Sequence, residues 1–179
     1  MQHGNLREYI RKNSAQLTPQ IRETWIRNAV SAVAFTHAHS IIHADISARN
    51  FLIADDLSLK LCDFAGSGVG NDIPPLVTEE DRYRKSPDLP RSVQTDLFAL
   101  GCLMYEIMLG KRPYEEVDDE DWEVIAENYE RGVFPSVQRI KYGDVIYRCW
   151  MGQYTTADEV LIDVEESQRL SANVFMSGS

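Results

Sequence analysis

Apolar positions recur at helical spacing along most of the chain, and the interruptions mark where the helices end. Leu6, Tyr9 and Ile10 predict a short helix over Gly4 to Asn13 with those side chains inward. Thr18 as N-cap and Pro19 at the first helical position open a longer helix, to about His39. Its inward face is Ile21, Trp25, Ala29, Ala32 and Val33. Phe51 to Ile53 and Leu59 to Cys62 flank a polar turn, Ala54 to Ser58, and predict two short hairpin strands. Residues 66–90 hold three glycines and four prolines, so they predict a long loop. A helix from Thr95-Asp96 through Leu109, stopped by Gly110, is apolar around nearly its whole circumference and belongs in the middle of a domain.

Asp118 to Arg131 carries acids in its first turn and Arg131 in its last, as the helix dipole favours. Lys141 to Trp150 predicts a further helix, weakened by Gly143. Thr156 and Glu159 have capping-box spacing and open a last helix to about Ser167, leaving Ser171 to Ser179 as a frayed tail.

Composition narrows the class. A chain of 179 residues with 44% apolar content supports one cored domain, placed at residues 1–170. Lys plus Arg is 18 against 28 Asp plus Glu, a net charge of −10 that disfavours nucleic acid and anionic membranes as partners. Cys62, Cys102 and Cys149 are isolated in apolar surroundings, which suits buried thiols in the cytoplasm or nucleus. The stretch Leu97 to Leu109 is too short to span a bilayer and contains Glu106. His3, His37 and His39 lack a third ligand at metal-site spacing and read as surface or helix-end residues. The acids between Glu115 and Asp121 read as a solvated helix start.

The run His43-Ala44-Asp45-Ile46-Ser47-Ala48-Arg49-Asn50, the apolar hairpin and then Asp63-Phe64-Ala65 carry the chemistry. Two carboxylates and an amide on two loops joined by a short hairpin suit Mg²⁺ coordination and the positioning of a hydroxyl for phosphoryl transfer. The bland alternative is a loop whose polar side chains bond only its own backbone.

The pattern resembles the protein-kinase catalytic loop H-R-D-L-x-x-x-N and the metal-binding D-F-G. Ser86-Pro87-Asp88 resembles A-P-E, and Thr95-Asp96-Leu97-Phe98-Ala99-Leu100-Gly101 resembles the family's T/S-D-V-W-S-x-G. Gly4 to Ile10 is similar to the segment after the hinge, and Cys149-Trp150 to the C-W of tyrosine-kinase-like domains. The likeness covers Gly4 to Val164 and implies a mainly α fold, the kinase C-terminal lobe: a helical bundle whose small β-hairpin carries the catalytic and metal loops. Its flavour is tyrosine-kinase-like, similar to divergent fungal kinase-like proteins.

The resemblance implies catalytic roles for Asp45, Arg49 and Asn50, with Asp45 orienting the substrate hydroxyl and Arg49 facing the transferring phosphate. It implies Mg²⁺ on Asn50 and Asp63, ATP as the phosphoryl donor, Leu52 as the floor under adenine, and a protein substrate. His43 and Phe64 would stack as the lower half of the regulatory spine, and Asp96 would bind catalytic-loop amides, with an exposed N-cap acid as its alternative. No glycine-rich loop or V-A-I-K lysine is present, so the expectation is a C-lobe that needs an N-terminal lobe, or a partner in its place, over its interlobe face. Phosphotransfer by the 179 residues alone is expected to be negligible.

Departures carry their own expectations. Ala44 replaces the arginine that receives an activation-loop phosphate, and Ala65 replaces a glycine. Ser67, Thr78, Tyr83 and Ser86 are candidate phosphosites or ordinary loop residues. Asp88 lacks its usual arginine partner, for which Arg148 and Arg169 are candidates. Asp81 and Arg84 stand where the Ser/Thr and Tyr specificity residues would be, so neither rule applies. A pseudokinase-type binding module is the second reading, and a small-molecule kinase sharing H-x-D-x-x-x-x-N lacks the later motifs.

Overall fold

Thr18 turns the chain into α2, Pro19–Ala38, its hydroxyl accepting the Ile21 N–H at 3.3 Å. The computed structural model describes residues 3–176, with side chains described through residue 170. Before α2 lies α1, Leu6–Asn13, capped by the Asn5 side chain, and the strands β1, Ile41–Ile42, and β2, Phe51–Ile53, follow it. Then come β3, Leu59–Leu61, β4, Gly68–Val69, and the helices α3, Val93–Leu109, and α4, Trp122–Glu130. The last helices are α5, Gly143–Trp150, and α6, Ala157–Met176. The fold is mainly helical, as a kinase C-lobe is.

The all-round apolar pattern of α3 has the predicted consequence: residues 96–107 are all buried, and α2 and α5 pack against it. Gly101 allows the approach of α5, since a Cβ there would stand 2.8 Å from Cys149 Cβ. The helix starts at Val93, earlier than the sequence predicts, because the Thr95 hydroxyl accepts the Ser92 N–H at 3.0 Å and closes the first turn. Gly143 stays helical for a reason invisible in propensity: any Cβ would meet the Val137 carbonyl oxygen at 2.3 Å.

The predicted hairpin forms with the register Phe51 to Leu61 and Ile53 to Leu59. Cys62 lies just past β3 but still donates its N–H to the Asn50 carbonyl at 2.9 Å. A second ribbon, β1 with β4, is absent from the sequence reading. Strands of two residues show no alternation, and Gly68 sits in a glycine- and proline-rich run. Residues 66–90 are otherwise the predicted loop, with one 3₁₀ turn at Asp81–Tyr83. The acids Asp119–Asp121 form a 3₁₀ turn ahead of α4.

The helix α6 continues to Met176 rather than ending near Ser167, because neither glycine nor proline interrupts it. The end of the tail predicted to fray, residues 177–179, lies outside the described residues. Cys102 and Cys149 are buried free thiols, whereas Cys62 is half-buried. Among the described residues no helix is long and apolar enough to cross a membrane.

Candidate active site

The loop from His43 to Asn50 joins the two ribbons, and Ile46 and Ala48 anchor it in the core. Its centre is organised by Asp96 at the buried start of α3. One Asp96 oxygen accepts the Ala44 N–H at 2.8 Å, and the other accepts the His43 N–H at 2.8 Å and His37 Nε2 at 3.0 Å. Asp96 is fully buried, so it is no exposed cap. These bonds hold Ala44 at φ 65°, a left-handed backbone that alanine seldom adopts.

His43 Nδ1 faces the Asp45 N–H at 3.3 Å, which leaves Nε2–H to donate to the Cys62 carbonyl at 3.0 Å. Its ring meets Phe64 edge-on with centroids 4.9 Å apart, the stacking expected of that pair. Through His43 the loop from His43 to Asn50 is thus tied to the segment that carries Asp63.

Asn50 Nδ2 donates to the Asp45 carbonyl at 2.7 Å and to Asp45 Oδ2 at 2.8 Å. The other carboxylate oxygen, Asp45 Oδ1, is buried without a hydrogen-bond partner among the described residues. Burial pushes the Asp45 carboxyl above its ordinary range, opposed by the Asn50 bond. With its amide nitrogen committed, Asn50 keeps Oδ1 free of hydrogen bonds among the described residues. The Cys62 N–H bond to Asn50 places Asp63 at the next position along, exposed and at φ 60°. Asn50 Oδ1 and the Asp63 carboxylate are hard oxygen donors, the class of ligand that Mg²⁺ takes. Among the described residues no group of three or more His, Cys, Asp or Glu meets as a metal cluster. Leu52 is half-buried on the face of β2 opposite Phe51 and Ile53.

Arg49 forms an ion pair with Glu80, its Nε 3.0 Å from Glu80 Oε1. Glu80 also accepts from Arg7 Nη1 at 2.7 Å, and Arg7 reaches Glu106 of α3 at 2.9 Å. The Tyr83 hydroxyl donates to the same Glu106 carboxylate, and Tyr83 is fully buried. Burial alone would raise the Glu80 carboxyl, but the Arg7 guanidinium carries it below its ordinary range. Burial, then Glu106, hold the Tyr83 phenol well above its own. Tyr83 therefore cannot meet a kinase as a phosphosite without leaving the core.

Neither arginine predicted as the partner of Asp88 pairs with it. Arg148 binds Asp163 and Arg169 pairs with Glu165, while Asp88 is exposed and unpaired among the described residues. The ion pair of this region is instead Arg91 with buried Glu79. His37, Glu79, Glu80 and Arg7 were invisible as site-supporting residues. The one available signal was a charge, Glu106, inside an otherwise apolar helix, which requires a buried partner.

Two loops fixed around one carboxylate, with a motif order matching the catalytic and metal loops, find a counterpart among known proteins. The sequence profile described as protein tyrosine and serine/threonine kinase matches residues 1–157. The chain belongs to the protein kinase family. It is 29% identical over 165 residues to the dual specificity protein kinase Ttk of Danio rerio, covering 82% of this chain and 17% of the relative. It is 28% identical over 204 residues to a fibroblast growth factor receptor of Strongylocentrotus purpuratus, 96% of this chain and 20% of that protein. The cytoplasmic tyrosine-protein kinase BMX of Mus musculus is 31% identical over 134 residues, 66% of this chain and 19% of that kinase. The chain spans about a fifth of the length of these relatives.

Proposed function

We propose that this chain is the catalytic lobe of an ATP-dependent protein phosphotransferase. The observation that carries the reading is the buried Asp45 Oδ1, an acceptor without a donor among the described residues, beside an amide that holds its twin. A substrate hydroxyl is the donor such an oxygen takes. Asp45 would orient that hydroxyl and receive its proton, the raised affinity of its carboxyl for protons favouring the second task. Asn50 would fix the Asp45 rotamer and, through Oδ1, share Mg²⁺ with Asp63. The bound Mg²⁺ would neutralise charge on the phosphate oxygens. Leu52 would lie under the adenine.

The 179 residues hold neither a glycine-rich loop nor a V-A-I-K lysine, so transfer by them alone is expected to be near zero. Each preorganised charge contact that is lacking lowers the rate by about 10²- to 10³-fold. Calorimetry with Mg²⁺-ATP tests the nucleotide site: binding by the wild type and its loss in Asp63→Asn support the reading. Equal heats from both proteins would refute it. A radiolabelled-ATP assay tests the rate, and turnover like that of ordinary kinases would overturn the expectation of near inactivity.

A pseudokinase-type binding module is the second reading. Its support is the Arg49–Glu80 ion pair, which turns Nε of the arginine four residues beyond Asp45 toward a carboxylate of the chain itself. It predicts no nucleotide heat in either protein.

A further inference from the structure

Arg7, Arg11, Arg49, Arg82 and Arg112 meet around one cavity of about 500 Å³. In a chain of net charge −10 this is a local reversal of sign. The five do not have equal duties. Arg7 is buried between Glu80 and Glu106, and Arg82 is buried between Asp119 and the carbonyls of Pro113, Tyr114 and Val117. Arg112 is held by Glu115. These three are consumed by the fold.

Arg11 and Arg49 are different. Their side chains are 57% and 58% exposed. Arg11 comes only within 3.7 Å of Glu115, and the closest approach of Arg49 to Glu80 is its Nε at 3.0 Å. The terminal nitrogens of Arg49 donate no hydrogen bond among the described residues. The acids on the cavity wall are already taken: Glu80 by Arg7, Asp81 by Arg84 and Asp119 by Arg82. The unspent charge is positive. Trp122 and Ile125 of α4 add an apolar wall on which side-chain stems can lie.

Arg49 is also four residues beyond Asp45, so the cavity opens beside the proposed position of the substrate hydroxyl. We propose that this cavity binds acidic side chains flanking the acceptor hydroxyl of a protein substrate. The inference rests on the phosphotransferase reading for the place of the hydroxyl. The chain itself displays the chemistry, because its own Glu80 carboxylate already lies against Arg7 and Arg49. Guanidinium forks match carboxylates in shape and charge, whereas lysine or arginine flanks would face uncompensated cations.

The test uses fluorescence anisotropy of the 179-residue chain with three labelled peptides, each with a central Tyr and Ser flanked by Glu, by Gln or by Lys. The Glu peptide is expected to bind tightest and the Lys peptide weakest, with the difference shrinking as salt rises. Arg11→Ala should weaken the Glu peptide by about two- to fivefold, and Arg11→Lys should restore most of it. Arg11→Glu, on an exposed helix face, should abolish the preference while the circular dichroism spectrum stays unchanged. Equal binding of the Glu and Lys peptides, or a preference that survives Arg11→Glu, would overturn the proposal. Mg²⁺-ATP calorimetry on the same samples separates the two readings. Nucleotide heat without acid preference sinks the cavity alone, and acid preference without nucleotide heat sinks the phosphotransferase.

Discussion

The carboxylate of Asp96 accepts the Ala44 N–H at 2.8 Å, tying the loop from His43 to Asn50 to the most buried helix. The neighbouring His43 N–H depends on the same side chain, and both donors are buried. Asp96→Ala is expected to lower unfolding stability by about 2–5 kcal/mol, through two buried donors left without acceptors. Asp96→Asn, which keeps one acceptor oxygen, should fall between the variant and wild type. Urea unfolding measures both, and a loss under about 1 kcal/mol for alanine would contradict the assignment.

Arg7 and Glu106 make a buried ion pair whose halves cannot be removed singly. Arg7→Met alone strands the Glu106 charge and should destabilise by about 3–5 kcal/mol. Adding Glu106→Gln should recover a large part of that loss, since the charge goes with its partner. A strictly additive double mutant, measured by denaturant unfolding, would show that the two side chains do not interact.

Two acids of the site titrate with opposite consequences for stability. Burial raises the Asp45 carboxyl, so the folded state binds its proton more tightly, and stability falls as pH rises above the ordinary 3.8 through the folded value. Asp45→Asn should therefore raise the melting temperature at neutral pH more than in acid. Glu80 is lowered despite its burial, by Arg7, so its contribution is present above the ordinary 4.5 and is lost as pH falls through the folded value. Glu80→Gln should accordingly lower the neutral-pH melting temperature and have little effect in acid. The same slope for both variants would reject this reading.

Gly143 faces a carbonyl rather than a side chain, which leaves little to yield. Gly143→Ala is expected to destabilise by about 1–3 kcal/mol, although alanine is the better helix former. Gly70→Ala is the control, because a Cβ there meets nothing within 4 Å and only its φ of 58° opposes the change. Thermal melts in which Gly143→Ala is the milder of the two would be the contrary result.

Elements with a strong period were legible: α1, α2, α3 and the hairpin stand where the apolar spacing puts them. The family was legible too, because the order of its motifs along the chain, from Asp45 and Asn50 to Asp63, is a pattern that needs no coordinates. Three features were not legible. The β1–β4 ribbon is too short to show alternation. The extent of α6 depends on the absence of a stop signal rather than the presence of one. The Glu80 network joins residues far apart in sequence, Arg7, Arg49 and Glu106, and a long-range ion pair leaves no local trace. For the same reason the replacement of an Asp88 pair by Arg91–Glu79 could not be seen beforehand.

The long loop is moored at its two ends by different means: a two-residue ribbon at Gly68–Val69, and the buried Arg82 and Tyr83. Between the moorings Leu76 is 82% exposed. Sequence can therefore be lengthened or nicked by a protease around that leucine while both flanks stay docked, making this stretch the natural point for grafting a tag or tolerating an insertion.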